Sequence, residues 1–321
     1  MNKKIKPVLS VIIPHYKEPQ EMLDHLLTSI DLQRGFNRDD IEIIVVDDYN
    51  HKTVNKRKDI RYLTAKADCG SGIARQKGID NSNGDYLMFI DADDQLYGSL
   101  SILHILNATN KKPDVIYGKF LQETTTIANN TVYIIMEKKD TWMHGKAYLK
   151  SYIDSIGVRF PKDIKYSEDA GWNLECLNKT KNVHKIDEFI SIWNNNLNSI
   201  TRLNRIPSKR KNVIDYVKVL KLATRRLLDN QAVGCVVVNT VYYLYFVLQQ
   251  QFWKGNLEQK KECEKQVAEY YQEFIEQFGS LGDEDLAMLY NDRRKDITDD
   301  DIYFREQETF EKFIERISQT I

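Results

Sequence analysis

Three carboxylates stand together at the end of one apolar run. Tyr86-Leu87-Met88-Phe89-Ile90 is followed directly by Asp91-Ala92-Asp93-Asp94. The run is short, aromatic and branched, and Asn83-Gly84 precedes it, so it reads as a buried strand. A core strand has no structural need for acids at its tip. Burying a carboxylate is costly unless its charge is offset. A divalent cation carrying a phosphorylated ligand would offset it. The structural alternative is a cap, with Asp94 starting a helix near Gln95. A cap accounts for one of the three acids.

A second pair, Asp47-Asp48, closes another apolar run over 41–46. Asp is also common where a turn begins, and that alternative stays open. The elements that must position these acids alternate along the first half. Strands are expected over 8–13, 41–46, 60–63, 86–90 and 115–119. Helices are expected over 18–30, 72–81 and 100–108, the first from Met22, Leu23, Leu26, Leu27 and Ile30 at helical spacing. Such alternation implies an α/β unit with a mostly parallel sheet flanked by helices. Ligands of such sheets sit beyond the carboxyl ends of the strands, where both acidic clusters lie.

Asp68-Cys69-Gly70-Ser71-Gly72 resembles the start of a dinucleotide-binding turn. The third glycine is missing, and no Gly-Lys-Ser/Thr loop occurs, so neither phosphate-cradling motif is complete. Arg75, one turn into the following helix and near the acidic strand end, is the informative residue. It would neutralise a diphosphate or hold an acidic loop; a surface helix arginine is the alternative.

The 321 residues favour two compact units. Lys and Arg number 46 and Asp and Glu 47, so there is no basic excess to argue for a nucleic-acid binder. Lys209-Arg210-Lys211 and Arg225-Arg226 read more simply as solvated faces. The basic start and the apolar 9–13 are cut off by Pro14-His15-Tyr16, which fits an opening strand better than a signal peptide. The four cysteines are scattered without metal-like pairing, which fits a reducing, cytoplasmic setting. From about Ile206 onward the pattern is helical, over 213–228, 232–253, 257–278, 284–290 and 310–317. The stretch 233–253 is too polar for a membrane span, so a core helix is favoured, with peripheral contact at the inner face of a membrane left open.

Eight segments occur in an order that resembles the family 2 glycosyltransferases of GT-A fold. They are Val11 to Tyr16; Ile43 to Asp48; Gly70 with Arg75, Gly78 and Ile79; Gly84 to Asp94; His144 to Tyr148; Ile156 to Phe160; Ser167-Glu168-Asp169; and Asn198 to Arg202. The resemblance covers about residues 8–205. It implies a catalytic domain over 1–205 and leaves 206–321 as a helical domain for acceptor, oligomer or partner. It implies transfer of a sugar, with inversion, from a UDP-sugar to an acceptor hydroxyl, with Mn²⁺ or Mg²⁺ as cofactor. A bacterial-type surface glycan or cell-wall polymer is the expected acceptor.

By position, the resemblance gives Asp48 to the uracil ring and Pro14, His15 and Tyr16 to the loop lining the base, with Glu18 and Arg75 also on the donor side. Asp91-Ala92-Asp93 matches the Asp-x-Asp motif, with Asp93 as metal ligand and Asp91 at the ribose or a metal-bound water. Asp169 matches the general base, and Arg202 closes over the diphosphate. His144, Lys146 and Glu168 fall on the acceptor side. Two departures stand out: His15-Tyr16 replaces the more usual residues of the base loop, and the tail resembles nothing we can name. Structural alternatives remain for Glu168 or Asp169 as a helix-start acid and for His144 and His184 as satisfied structural histidines. Trp172 and Trp193 read as core or acceptor-wall aromatics. A non-catalytic scaffold is the rival reading, and the presence of Asp91, Asp93 and Asp169 together argues against it.

Overall fold

The computed structural model describes residues 6–49, 56–126, 128–137, 140–196, 212–227, 257–278 and 308–319. The chain divides into two units, Met1–Asn196 and Leu197–Ile321. The first unit is built on one sheet with the order β3-β2-β1-β4-β8-β6-β9-β5, with β7 added on β6. Its strands are β1 (Leu9–His15), β2 (Ile41–Asp47), β3 (Arg61–Thr64), β4 (Tyr86–Phe89), β5 (Gln95–Leu96), β6 (Val115–Thr125), β7 (Thr131–Met136), β8 (Lys146–Leu149) and β9 (Val183–Trp193). Its helices are α1 (Gln20–Asp31), α2 (Ser71–Asp80), α3 (Ser101–Thr109), α4 (Lys150–Ile156) and α5 (Glu168–Asn178).

The central strand β1 lies parallel to β2 on one side and to β4 on the other, and His15 is in register with Asp47. The two acidic strand ends therefore flank the end of β1. Side chains alternate across the sheet with a period of two. Val11, Ile13, Ile43 and Val45 face one core with Leu23, Leu26, Leu27 and Ile30 of α1 and Ile102 and Ile105 of α3. Ile12, Leu87 and Phe89 face the opposite core with Trp172 and Cys176 of α5. Ile44 and Val46 pack on Ala74 of α2. Helix α2 can lie close to β1 because position 78 is glycine. A Cβ there would come within 2.3 Å of Ile12 Cγ2.

The observed elements fall within a few residues of the expected ones up to β6. Beyond that the sheet is mixed. The β3-β2-β1-β4 half is parallel, but β8 runs antiparallel to both β4 and β6, and β7 and β5 are antiparallel edges. These strands carry weak alternation. β7 is largely exposed, and β9 is polar over Lys185, Asp187 and Glu188. No helix begins at Gln95. Gln95 pairs with Ile192 of β9, the helix begins at Ser101, and Asp94 is used differently, as described below.

In the second unit the described helices are Asn212–Arg226, Leu257–Phe278 and Phe310–Ser318. Val217, Leu220, Ala223, Val267, Tyr270, Phe313 and Ile317 are buried. Thr224 Oγ1 lies 2.8 Å from Tyr270 Oη, and Arg225 Nη2 donates to both Glu273 oxygens at 2.9 Å. The expected helices over 232–253 and 284–290 lie outside the described residues, as does the 206 boundary. Cys69, Cys176 and Cys263 are free thiols. Among the described residues no helix is long and apolar enough to cross a membrane.

Leu26 is fully buried between α1 and the sheet. Leu26→Ala is expected to lower unfolding stability by about 2–5 kcal/mol through lost transfer energy and a residual cavity, measured by urea denaturation.

Candidate active site

The carboxyl end of β1 carries a tight turn. Lys17 sits at φ 58°, in the left-handed region. The turn is held from within, because the Tyr16 backbone N–H donates to Glu18 Oε2 and His15 Nε2 lies 3.1 Å from the Glu18 carbonyl. Burial pushes the Glu18 carboxyl up to about 8, with Asp93 and Asp91 adding repulsion. The Tyr16 and Tyr49 rings meet edge to face at 5.6 Å beside the ends of β1 and β2.

Asp48 follows β2 and is 2% exposed. Its Oδ2 accepts from the Gly70 N–H at 3.1 Å, and its Oδ1 is buried without a hydrogen-bond partner. Burial pushes its carboxyl up to about 6. An unpartnered buried carboxylate oxygen is a costly state. It fits an N–H donor arriving with a ligand. Gly70 reaches Asp48 from a φ of 89°, a conformation that favours glycine.

The segment Gly70-Ser71-Gly72 thus serves acids rather than a dinucleotide. Ser71 Oγ donates to Glu168 Oε1 at 2.5 Å. One turn on, Arg75 is buried and forks between two carboxylates. Nη1 lies 2.6 Å from Glu168 Oε1 and Nη2 lies 2.6 Å from Asp91 Oδ1. Of the alternatives open in the sequence, the observed one is an arginine that holds the acidic loop. Burial opposes ionisation at Asp91, but the Arg75 guanidinium outweighs it and holds that carboxyl below its usual value.

The acidic loop is clamped from the other side by the residues after β9. The Asn194 N–H donates to Asp94 Oδ1 at 3.0 Å, and its Nδ2 donates to the Asp93 carbonyl at 2.9 Å. Asn196 Nδ2 donates to Asp93 Oδ2 at 2.7 Å. Asp94 is 1% exposed and lies 3.1 Å from His144 Nε2. Burial pushes Asp94 up to about 7; at His144 burial opposes the charge, but the combined pull of Asp94, Asp91 and Asp169 raises the ring. Ligand atoms of Asp91, Asp94 and His144 lie within 4.8 Å of one another. Asp93, the expected metal ligand, stands outside that triplet with burial and Asp91 raising its carboxyl. Ala92 is buried and keeps the Asp-x-Asp backbone against the core.

Glu168 and Asp169 occupy the first turn of α5, where the helix dipole favours negative charge. Glu168 is buried on Arg75, whereas Asp169 keeps partial exposure. Burial and the neighbouring Glu168 push the Asp169 carboxyl up to about 7. Asn173 Nδ2 holds the Asp169 carbonyl at 2.9 Å, and its Oδ1 takes the Tyr148 hydroxyl at 2.5 Å.

The expected site residues Pro14, His15, Tyr16, Glu18, Asp48, Arg75, Asp91, Ala92, Asp93, His144, Glu168 and Asp169 all lie at this edge of the sheet or on the helix starts above it. Arg202 lies outside the described residues. Lys146 is separate from the open face. It is fully buried, donates to the Trp142 carbonyl at 2.5 Å and sits 4.1 Å above the Tyr117 ring. Ser71, Asn173, Asn194 and Asn196 were not legible as site residues. The signal for the last two was an Asn run at a strand end, Asn194-Asn195-Asn196.

A mixed sheet of this order, with acids at the ends of β2 and β4 and at the start of α5, defines a GT-A type fold. Staphylococcus aureus TarS, solved with UDP-GlcNAc, superposes with a TM-score of 0.62 at 17% identity, over 83% of this chain and 80% of that one. The glycosyl transferase family 2 model matches residues 10–161. A glycosyltransferase of Methanocaldococcus jannaschii is 32% identical over 237 residues, 68% of this chain and 77% of that one. The chain belongs to glycosyl transferase family 2. It is also 26% identical to the poly(ribitol-phosphate) beta-N-acetylglucosaminyltransferase TarP of Staphylococcus aureus, over 54% of this chain and 58% of that one. The chain spans 64% or less of the length of the bacterial curated relatives it matches.

Arg75→Met would leave Glu168 and Asp91 without their cation. The expected loss is about 3–5 kcal/mol of stability in urea. Arg75→Lys is expected to recover only part of it, because one ammonium cannot fork between two acids.

Proposed function

We propose that this chain is an inverting, metal-dependent glycosyltransferase that moves a sugar from a UDP-sugar to an acceptor hydroxyl. The observation that carries the reading is the convergence of three features. They are an unpartnered Asp48 oxygen, an acidic loop held by Arg75 and the two asparagines, and a raised, partly exposed Asp169 at a helix start. Family membership and the cell-wall polymer transferases among the relatives support it. A bacterial-type surface glycan or cell-wall polymer is the acceptor class proposed.

The donor side follows from the strand ends. Asp48 accepts the ring N–H of the uracil base, with Pro14, His15 and Tyr16 beside it. Asp91 and Asp93 serve the ribose and diphosphate end. Asp91, Asp94 and His144 offer ligand atoms within 4.8 Å of one another, with Asp93 in the same loop, and the carboxylate oxygens of this set suit Mn²⁺ or Mg²⁺. Asp93 is the ligand proposed first, and its Oδ1 is the oxygen not used by Asn196. A bound divalent ion would supply Lewis-acid stabilisation of the departing diphosphate. Arg202 is proposed to close over that diphosphate.

Asp169 takes the acceptor proton. A base works best with a pKa near the working pH, and burial beside Glu168 brings this carboxyl to about 7. Arg75 keeps Glu168 in place without neutralising Asp169 directly. The single displacement inverts the anomeric centre, since the acceptor oxygen, giving its proton to Asp169, attacks from the face opposite the leaving nucleoside diphosphate. A homo-oligomer or partner contact through the helical tail, and a cytoplasmic station at the inner face of a membrane, are further parts of this proposal.

The test is a thermal-shift series of UDP-sugars with and without Mn²⁺, on wild type and Asp93→Ala. A ligand that binds only the folded state raises the midpoint by mass action. The expected result is a Mn²⁺-dependent shift with one UDP-sugar that is lost in Asp93→Ala. Equal shifts in both proteins would overturn the metal assignment.

The raised carboxyls also set a pH dependence. The Asp169 carboxyl sits above its usual 3.8, so between that value and about 7 the folded state holds a proton that the unfolded state releases. Its contribution is full below the unfolded value and is lost as pH rises through about 7. Glu18 and Asp94 act with the same sign. Stability is expected to fall from pH 4 toward 8, with Asp169→Asn flattening part of that fall in urea titrations at stepped pH (about these bounds).

A further inference from the structure

Trp172 and the pair Trp142 and Trp193 are used in different ways. Trp172 is 2% exposed and stacks on Phe160 at 4.4 Å with the rings 3° from parallel, deep in the core. Trp142 and Trp193 are only half-buried. Their rings stand at 88° with centroids 4.9 Å apart, which makes an L-shaped aromatic corner. Phe120 backs it, 5.8 Å from Trp142. His144 stacks on Phe120 at 4.8 Å and lies 6.0 and 5.8 Å from the two indoles. The same His144 bonds Asp94, so the corner is one side chain away from the acidic loop.

Both indoles are carried on backbone that is fixed to the site. The buried Lys146 ammonium donates to the Trp142 carbonyl. Trp193 ends β9, and the next residue, Asn194, holds Asp94 through its backbone N–H. This uses a fully buried Lys146 whose ammonium burial pushes down to about 7.

We propose that the Trp142–Trp193 corner is the acceptor subsite and that it takes a neutral pyranose ring. The proposal rests on the glycosyltransferase reading above and adds the acceptor class. A rigid indole offers a large apolar face with a negative π surface. The C–H face of a pyranose carries the complementary positive edge, and the hydroxyls around the ring remain for polar groups. The charges near the corner disfavour a polyanion such as a phosphodiester polymer. Asp91, Asp94 and Asp169 make its site side acidic. Among the described residues of its supporting strands, Lys146 is buried, Lys185 stands near the other end of β9 from Trp193, and Lys119 is held by Glu137 at 2.9 Å and Asp187 at 2.5 Å. Arg75 is spent on Asp91 and Glu168.

The test titrates cellobiose, lactose, N,N′-diacetylchitobiose and a ribitol-phosphate oligomer against the full chain, read by tryptophan fluorescence, at low and high salt. UDP binding is measured in parallel. The expected result is saturable quenching by at least one neutral disaccharide, insensitive to salt because no ion pair is formed. Trp193→Leu and Trp142→Leu are expected to weaken it about tenfold, as loss of an aromatic anchor does. Trp193→Phe keeps a ring and should retain most of the affinity, with UDP affinity equal in all variants. Quenching by the ribitol-phosphate oligomer alone, weakened by salt, would overturn the proposal, as would leucine variants that bind like wild type. A wild-type protein that binds a disaccharide but no UDP overturns the donor reading and leaves the sugar corner standing.

Discussion

One buried cation organises this site. Arg75 lies inside the protein with a carboxylate at 2.6 Å on each arm of its guanidinium. One acid belongs to the loop after β4 and the other to the first turn of α5, which are far apart in the sequence of the first unit. Neither acid tolerates burial alone, and neither does the arginine. The three charges therefore fix the spacing between the acidic loop and the start of α5, and with it the place of Asp169. Ser71 adds a second grip on Glu168.

Around that pair the sheet supplies two different kinds of support. The parallel half aligns the ends of β1, β2 and β4 so that Asp48, His15 and Asp91 share one edge. The mixed half returns β9, which runs parallel to β6, to the same edge, and Asn194 and Asn196 just after it hold the acids from the far side. The acidic loop is thus braced by a cation on one flank and by neutral amides on the other. Amide donors restrain Asp93 and Asp94 without cancelling their charge, which keeps the loop negative. Burial first, and the neighbouring acids after it, push the carboxyls upward at Glu18, Asp93 and Asp94.

The same economy separates the fully packed aromatics from the half-buried ones. Trp172 fills the core between α5 and the sheet with Phe89, Tyr148 and Phe160 around it. Trp142 and Trp193 stand at the open edge beside His144. His144 itself joins the two environments, since one ring nitrogen faces Asp94 while the ring face lies on Phe120.

The strands that bear Asp48 and Asp91 were legible because they are short, branched apolar runs bounded by turn residues, and α1 because its apolar residues recur at helical spacing. The acids after β2 and β4 stood out because nothing in a core strand requires them. A helix cap at Asp94 was the alternative to the cation site, and the chain instead pairs Gln95 with Ile192, a contact between residues about a hundred apart that no local pattern carries. For the same reason Asn194 and Asn196 were silent, since an Asn run has many local uses. The resemblance placed Lys146 on the acceptor side, and it is instead buried, with the Trp142 carbonyl and the Tyr117 ring among its partners. The sequence by itself determined which residues are chemically unusual and which elements carry them, because local periodicity and composition are local properties. Tertiary structure alone decided which charges meet, because the pairing of Arg75 with Glu168 and of Asn196 with Asp93 depends on how distant strands close on one edge of the sheet.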